Sequence, residues 1–437
     1  MRSMLIGVLL LVVASASVHA NGRFPSSVSV HFRPGNANDI YLGTTFGLLV
    51  SHDDGAGFYW LCEQNIGYQG TFDPRYRVAS DGTIYASTFE GLRVSRDGGC
   101  SFQTATADRP NTDPGYIADV WVDGLDVGPD GAVWVTTAEA GRPNDVYRST
   151  DAGVTFAPLG RASPVIWWKD VAVAPGQGGR AYVTGYHVTQ TDPDGGTISP
   201  TVHLYRTDDS GQNWTQLPIT SFTLGTSPLL LIPAVAPGDG STLFVRSVRA
   251  AGLGDRLYRS TDAGLTWAEV LVTTDTIRDV VVRTGGEVLV ATVEGGMSRS
   301  TDGGQTFQPL ASAPKAACLG DRNGTLFACG ANWEPDFFTL GRSTDAASWS
   351  AVLRFVGIKG PLSCPAGTDQ RDVCEALQWP ALREQFGIPD EGGVDAPGPP
   401  PRDNGGCCGA SSSHSSIVIA ALLVGLLGLR TRRRGTA

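Results

Sequence analysis

A chain of 437 residues with 41% hydrophobic content can bury a large core, and 56 glycines with 27 prolines favour many short strands and tight turns over long helices. The formal net charge of −10 at pH 7 excludes the basic stripe that nucleic acid or a broad anionic lipid surface demands. The expected class is all-β, in a single large domain with nothing in the composition that asks for a second.

Residues 1–20 carry Arg2, an apolar run from Met4 to Val13 and the small-residue end Val18, His19 and Ala20. That is the layout of a secretory signal peptide, so the mature chain is expected to begin near Asn21, in a compartment where disulfides form.

From residue 21 to about 360 a two-hairpin pattern recurs. The second hairpin of each unit turns on a short phrase, seen at Ser260 to Trp267 as Ser-Thr-Asp-Ala-Gly-Leu-Thr-Trp. Variants follow the same frame around Asp53, Asp97, Asp151, Asp209, Asp262 and Asp302, and a degenerate one surrounds Asp345. The carboxylate and the Ser or Thr hydroxyl can accept backbone N–H groups of the turn, the Gly supplies positive φ, and the closing Phe or Trp anchors the next strand. Successive aspartates are 44, 54, 58, 53, 40 and 43 residues apart, a propeller-blade period with insertions in the middle units. An upstream hairpin completes each unit, as in Leu125 to Val127 with Ala132 to Val135, or Val280 to Val282 with Val288 to Val290.

The phrase resembles the Asp box of sialidases and of bacterial-neuraminidase-repeat propellers, where it links the third and fourth strands of a blade. The resemblance implies a single seven-bladed β-propeller with four-stranded blades, the boxes lying on the face away from the functional site. Either residues 23–27 or the segment after Phe355 could latch the ring.

Residues 361–388 read as a small appendage closed by a disulfide, and residues 389–406, rich in Pro, Gly and Asp, as a linker without a core. Residues 407–437 contain Cys407 and Cys408, a serine-rich spacer, the apolar run Ile417 to Leu429, and Arg430, Arg432, Arg433 and Arg434. As a transmembrane helix the run is short, and the arginines would stay cytoplasmic. The arrangement resembles the C-terminal sorting signals of myxobacterial surface proteins, the MYXO-CTERM type. It implies processing at a cysteine, membrane contact through the C-terminal helix beforehand, and a destination at the cell surface or outer membrane. Export and processing machinery are then partners.

With Cys407 and Cys408 assigned to sorting, six cysteines remain. Cys318 and Cys329 flank Asn323 and Gly324, and a two-residue turn there sets them opposite each other. Cys364 with Cys374 would close a short loop, and Cys62 with Cys100 follows by elimination. The spacings are not those of zinc ligands, Asp192 and Asp194 are too few for calcium, and no metal or cofactor is expected.

If the resemblance holds, the functional mouth is built from the turns joining second and third strands and from the links between blades. Glu90, Glu139 and Glu294 recur at equivalent turn positions, and neighbouring loops add Trp167, Trp168, Tyr186, Trp333, Phe337 and Phe338. Carboxylates with aromatic surface suit a protein or glycan ligand, and paired carboxylates suit a glycosidase. The stronger expectation is that residues repeated in a repeat protein serve the repeat itself and that aromatics there belong to the core. Sialidase chemistry, as the resemblance implies it, needs three arginines and a Tyr activated by a Glu. Arg148, Arg206, Arg259, Arg299 and Arg342 precede the boxes, on the opposite face, so no catalytic residues are assigned. The expected function is a non-enzymatic binding or scaffold module; a glycoside hydrolase and an extracytoplasmic assembly factor are the alternatives.

Overall fold

Seven antiparallel sheets follow one another along the chain, and each is a blade. The computed structural model describes residues 23–187, 201–225, 228–249 and 253–389. The expected signal peptide, Asp192 and Asp194, all of the expected linker but residue 389, Cys407, Cys408 and the C-terminal apolar run lie outside the described residues. The innermost strands of blades one to seven are Ser27–Phe32, Tyr76–Val78, Val122–Val127, Ile166–Val173, Leu229–Val235, Ile277–Val282 and Leu319–Arg322. Each neighbours the next, and the seventh returns against the first, so the sheets close a ring. Among the described residues no helix is long and apolar enough to cross a membrane.

Four of the seven second strands, Ile40–Thr44, Ile84–Thr88, Val133–Thr137 and Val288–Thr292, are buried along their whole length. Such continuous apolar runs fit sheets that are covered on both faces. The covering is the next blade: Tyr85, Leu92 and Val94 of blade two form one cluster with Val122, Leu125, Val133 and Val135 of blade three. Core therefore lies between blades, and each blade depends on its neighbours for half its burial.

The repeated turn seals these gaps. In blade five, Asp262 Oδ1 accepts the Ser260 hydroxyl and the Thr266 amide, each at 2.8 Å, while Oδ2 accepts the Thr266 hydroxyl at 2.6 Å. Ser260 Oγ in turn accepts the Gly264 amide at 2.8 Å. Gly264 sits at φ +87°, and a Cβ there would come within 2.4 Å of Leu217 in blade four. Glycine is needed for conformation and for close approach at once. The turn around Asp345 is one residue shorter, with the Ala346 amide donating to Ser343 Oγ at 2.9 Å in the glycine's place, and this is why it looks degenerate. Replacing Asp262 by Ala is expected to cost about 1–3 kcal/mol through lost turn hydrogen bonds. Urea denaturation checks it, and an unchanged midpoint would refute a stabilising role for the carboxylate.

Blade one has a fifth strand. After blade seven the chain turns back, and Ile358–Pro361 pairs in parallel with Phe58–Leu61 on the outer edge of blade one. The latch is thus the segment after Phe355. A π-helix at Gln370–Gln378 and an α-helix at Trp379–Phe386 follow, with Phe386 against Phe46 and Phe355 at 5.1 and 4.9 Å between ring centres.

Two expected cysteine pairings are corrected here. Cys62 is bonded to Cys374, and Cys100 to Cys364; neither Cys364 with Cys374 nor Cys62 with Cys100 is joined. The reason is the returning strand, which carries Cys364 past the repeated turn of blade two and sets the helix bearing Cys374 over the end of blade one. The appendage is helical and stapled to the propeller instead of closed on itself. Cys318 and Cys329 are joined across their hairpin, where the Cys329 amide donates to the Cys318 carbonyl.

Candidate functional site

An up-and-down blade puts its second-to-third-strand turn and its link to the next blade on the face opposite the repeated turns. Aromatic rings gather on that mouth face. Phe72 lies in the link from blade one to blade two and Phe89 at the tip of the blade-two turn, with ring centres 4.4 Å apart. Trp121, in the next link, is 4.9 Å from Phe89 and 5.9 Å from Trp167 on the inner strand of blade four. Tyr186 ends the row, 6.2 Å from Trp167. Lys169 Nζ stands 5.6 Å from the centre of the Trp121 ring and bonds both oxygens of Asp123 at 2.8 Å. A second exposed patch pairs Phe24 with Trp333 at 5.0 Å, and Phe337 nearby lies under the Arg354 guanidinium.

Below the mouth the inner strands line a central channel of about 610 Å³. Its carboxylates are committed to the fold. Asp126 accepts the Val173 amide, Asp170 the Ile232 amide and Asp279 the Leu319 amide, all at 2.8 Å. Each bond ties an inner strand to that of the following blade. Arg77 bonds Asp126 at 2.8 Å and Arg75 bonds Asp170 at 2.6 Å. Burial pushes the Asp279 carboxyl up to about 6, against the pull of the two amides it accepts. Burial likewise raises Asp123, against the adjacent Lys169.

The sequence-expected residues divide. Trp167 joins the aromatic row. Trp168 does not: it is fully buried, with Nε1 donating to the Arg161 carbonyl at 3.1 Å. Adjacent strand residues point to opposite faces, so both could not serve one surface. Phe338 is buried as well, whereas Trp333 and Phe337 are exposed. Glu139 is a loop staple, accepting the Trp121 amide at 2.9 Å. Glu294 is exposed and pairs with Lys315 at 3.0 Å. Of the three glutamates, Glu90 alone lines the depression beside Phe89, and none lines the central channel. Phe72, Phe89 and Trp121 were not singled out from sequence. The available signal was Phe89 in a short turn between two strands, on the face where the other expected site residues were sought. Among the described residues no cluster of three or more His, Cys, Asp or Glu is placed to hold a metal.

The fold is similar to that of solved propellers. A GH74 enzyme from Niastella koreensis shares 16% identity, with a TM-score of 0.40 over 78% of this chain and 66% of that one. The chain therefore spans just under two thirds of that enzyme. YCF48 bound to D1 peptide shares 16% identity, with a TM-score of 0.43 over 69% of this chain and 89% of that one. PorZ, a surface component of the type-IX secretion system of Porphyromonas gingivalis, shares 16% identity, with a TM-score of 0.48 over 71% and 45%. At these identities the likeness is one of fold. No family model matches the sequence, and no curated protein matches it.

Proposed function

We propose that this protein is an exported cell-surface propeller that binds a protein or glycan ligand on its mouth face. The observation that carries the reading is the row Phe72, Phe89, Trp121, Trp167 and Tyr186, which crosses blades two to four with rings 4.4 to 6.2 Å apart. Rings left partly open to solvent beside a polar channel give a ligand apolar area with oriented hydrogen-bonding groups around it. A hydrolytic site would need two carboxyls free to face one glycosidic bond. Asp126, Asp170 and Asp279 are instead spent on inter-blade amides, which favours binding over turnover. Glycan and peptide arrays test the reading: wild-type protein is expected to bind on one of them and Trp121→Ala to lose most of that signal. Silence on both arrays, or glycoside turnover, would overturn it.

The address belongs to the same proposal. Three disulfides suit an oxidising compartment. With a signal peptide at 1–20 and a sorting segment at 407–437, the surface form is expected to lack the apolar run from Ile417 onward. Intact mass of protein from the native host decides the point, and recovery of the chain through Ala437 would favour a plain anchor.

A further inference from the structure

Beside Phe89 the mouth face dips into a depression of about 370 Å³, between the link that follows blade one and the second-to-third-strand turn of blade two. It is lined by Gln64, Gln69, Thr88, Phe89, Glu90 and Arg93, among others. The turn is rigid: Thr88 Oγ1 donates to the Gly91 carbonyl at 2.8 Å and accepts the Glu90 amide at 3.2 Å. It holds Phe89 up with 51% of its surface exposed. The matching turn of blade one also bears a phenylalanine, Phe46, but there Phe355 and Phe386 cover the ring and leave it 5% exposed. Phe89 stays half-exposed with Phe72 and Trp121 as its ring neighbours, at 4.4 and 4.9 Å.

The polar lining sets the ligand's charge. Arg93 spends its guanidinium on the Ile66 and Phe102 carbonyls and on Thr104 Oγ1, and the nearby Glu90 carboxylate balances its charge. The depression therefore offers an anion no uncommitted cation, and a cation meets Arg93 beside Glu90. What remains are the Gln69 amide, the Nε2 group of Gln64, whose Oε1 already accepts Gln378 Nε2, and one carboxylate, which donate and accept together around an aromatic platform. Sugar hydroxyls ask for that mixture, and the apolar face of a pyranose stacks on an open ring. We propose that this depression is a subsite for one or two units of a neutral glycan, with Phe89 as the stacking platform and Gln64, Gln69 and Glu90 as hydroxyl partners. The proposal rests on the mouth-binding reading and narrows its ligand.

An array of neutral and acidic oligosaccharides and peptides, probed with the full exported protein, is the test, followed by calorimetry on the best neutral hit. Phe89→Ala is expected to weaken that hit at least tenfold and Glu90→Gln several-fold; urea midpoints check that both variants stay folded, and a small drop for Phe89→Ala reflects its lost ring contacts with Phe72 and Trp121. If Trp167→Ala abolishes binding of a neutral glycan while Phe89→Ala leaves its affinity as it was, the mouth reading stands and this subsite falls. Binding confined to acidic glycans or to peptides overturns the ligand class. Silence across the array overturns both.

Discussion

Replacing Cys62 and Cys374 by serine is expected to destabilise the propeller by about 2–4 kcal/mol. The bond spans 312 residues and crosses the seam where the ring closes. Cys100 and Cys364 tie the same returning segment to blade two across 264 residues, so with one bond intact the other closes a smaller ring. Removing both should therefore cost more than the sum of the single losses, because the last bond removed frees the longest loop. Without either, the parallel strand Ile358–Pro361 is held to blade one by backbone pairing and side-chain packing alone. Equilibrium denaturation of the two double variants and the quadruple variant measures this. Equal midpoints for all four proteins would show that the seam holds without covalent help.

Acid is expected to unfold the protein steeply below about pH 4 and only weakly between pH 6 and 4, through the opposed shifts described next. His31 on the inner strand of blade one is half-buried with its Nε2 atom shut off from solvent and without a hydrogen-bond partner, and burial with the charge of Arg77 holds its pKa down to about 3. Its folded value lies below its unfolded one, so its contribution is complete above about 6.5 and is lost as pH falls towards 3, by about 1.4 kcal/mol per unit. Asp279 has the opposite sign. Burial raises it to about 6, so its contribution is present below the ordinary carboxylate range and is lost as pH rises through 6. Between pH 6 and 4 the two offset each other. Below that only losses remain, because turn hydrogen bonds hold Asp262, Asp302 and Asp345 below the ordinary range, and their stabilisation disappears as they protonate. Stability measured from pH 7 to 3 checks the profile, and His31→Asn should flatten its lower limb. Parallel curves for the variant and the wild type would remove His31 from the account.

The blades were legible because each is specified locally and the specification recurs. Asp262, its hydroxyl partners and Gly264 lie within seven residues of one another, so the turn can be read wherever the phrase occurs. The Cys318 to Cys329 bond was legible for the same reason, since the Asn323 and Gly324 turn sets a register only a few residues long. Cys62 and Cys374 were not, because what brings them together is the path of the whole ring. The mouth was half legible. Trp167 and Trp168 look alike in sequence, and strand alternation sends one to the surface and the other to the core. Phe72, Phe89 and Trp121 sit in two links and a turn, and only the closure of neighbouring blades makes a row of them.

The returning strand also decides how the molecule carries load. Cys374 lies close to the end of the described chain, and its bond to Cys62 forms a covalent bypass around the 312 residues between them. A pull at Ile388 is handed directly to the outer edge of blade one. Blades two to seven are shielded from that tension, and the mouth rings they carry keep their spacing. The returning strand Ile358–Pro361, which helps set Cys374 against Cys62, lies inside the bypassed stretch and is shielded with the blades; the load enters blade one through Cys62, at the end of Phe58–Leu61.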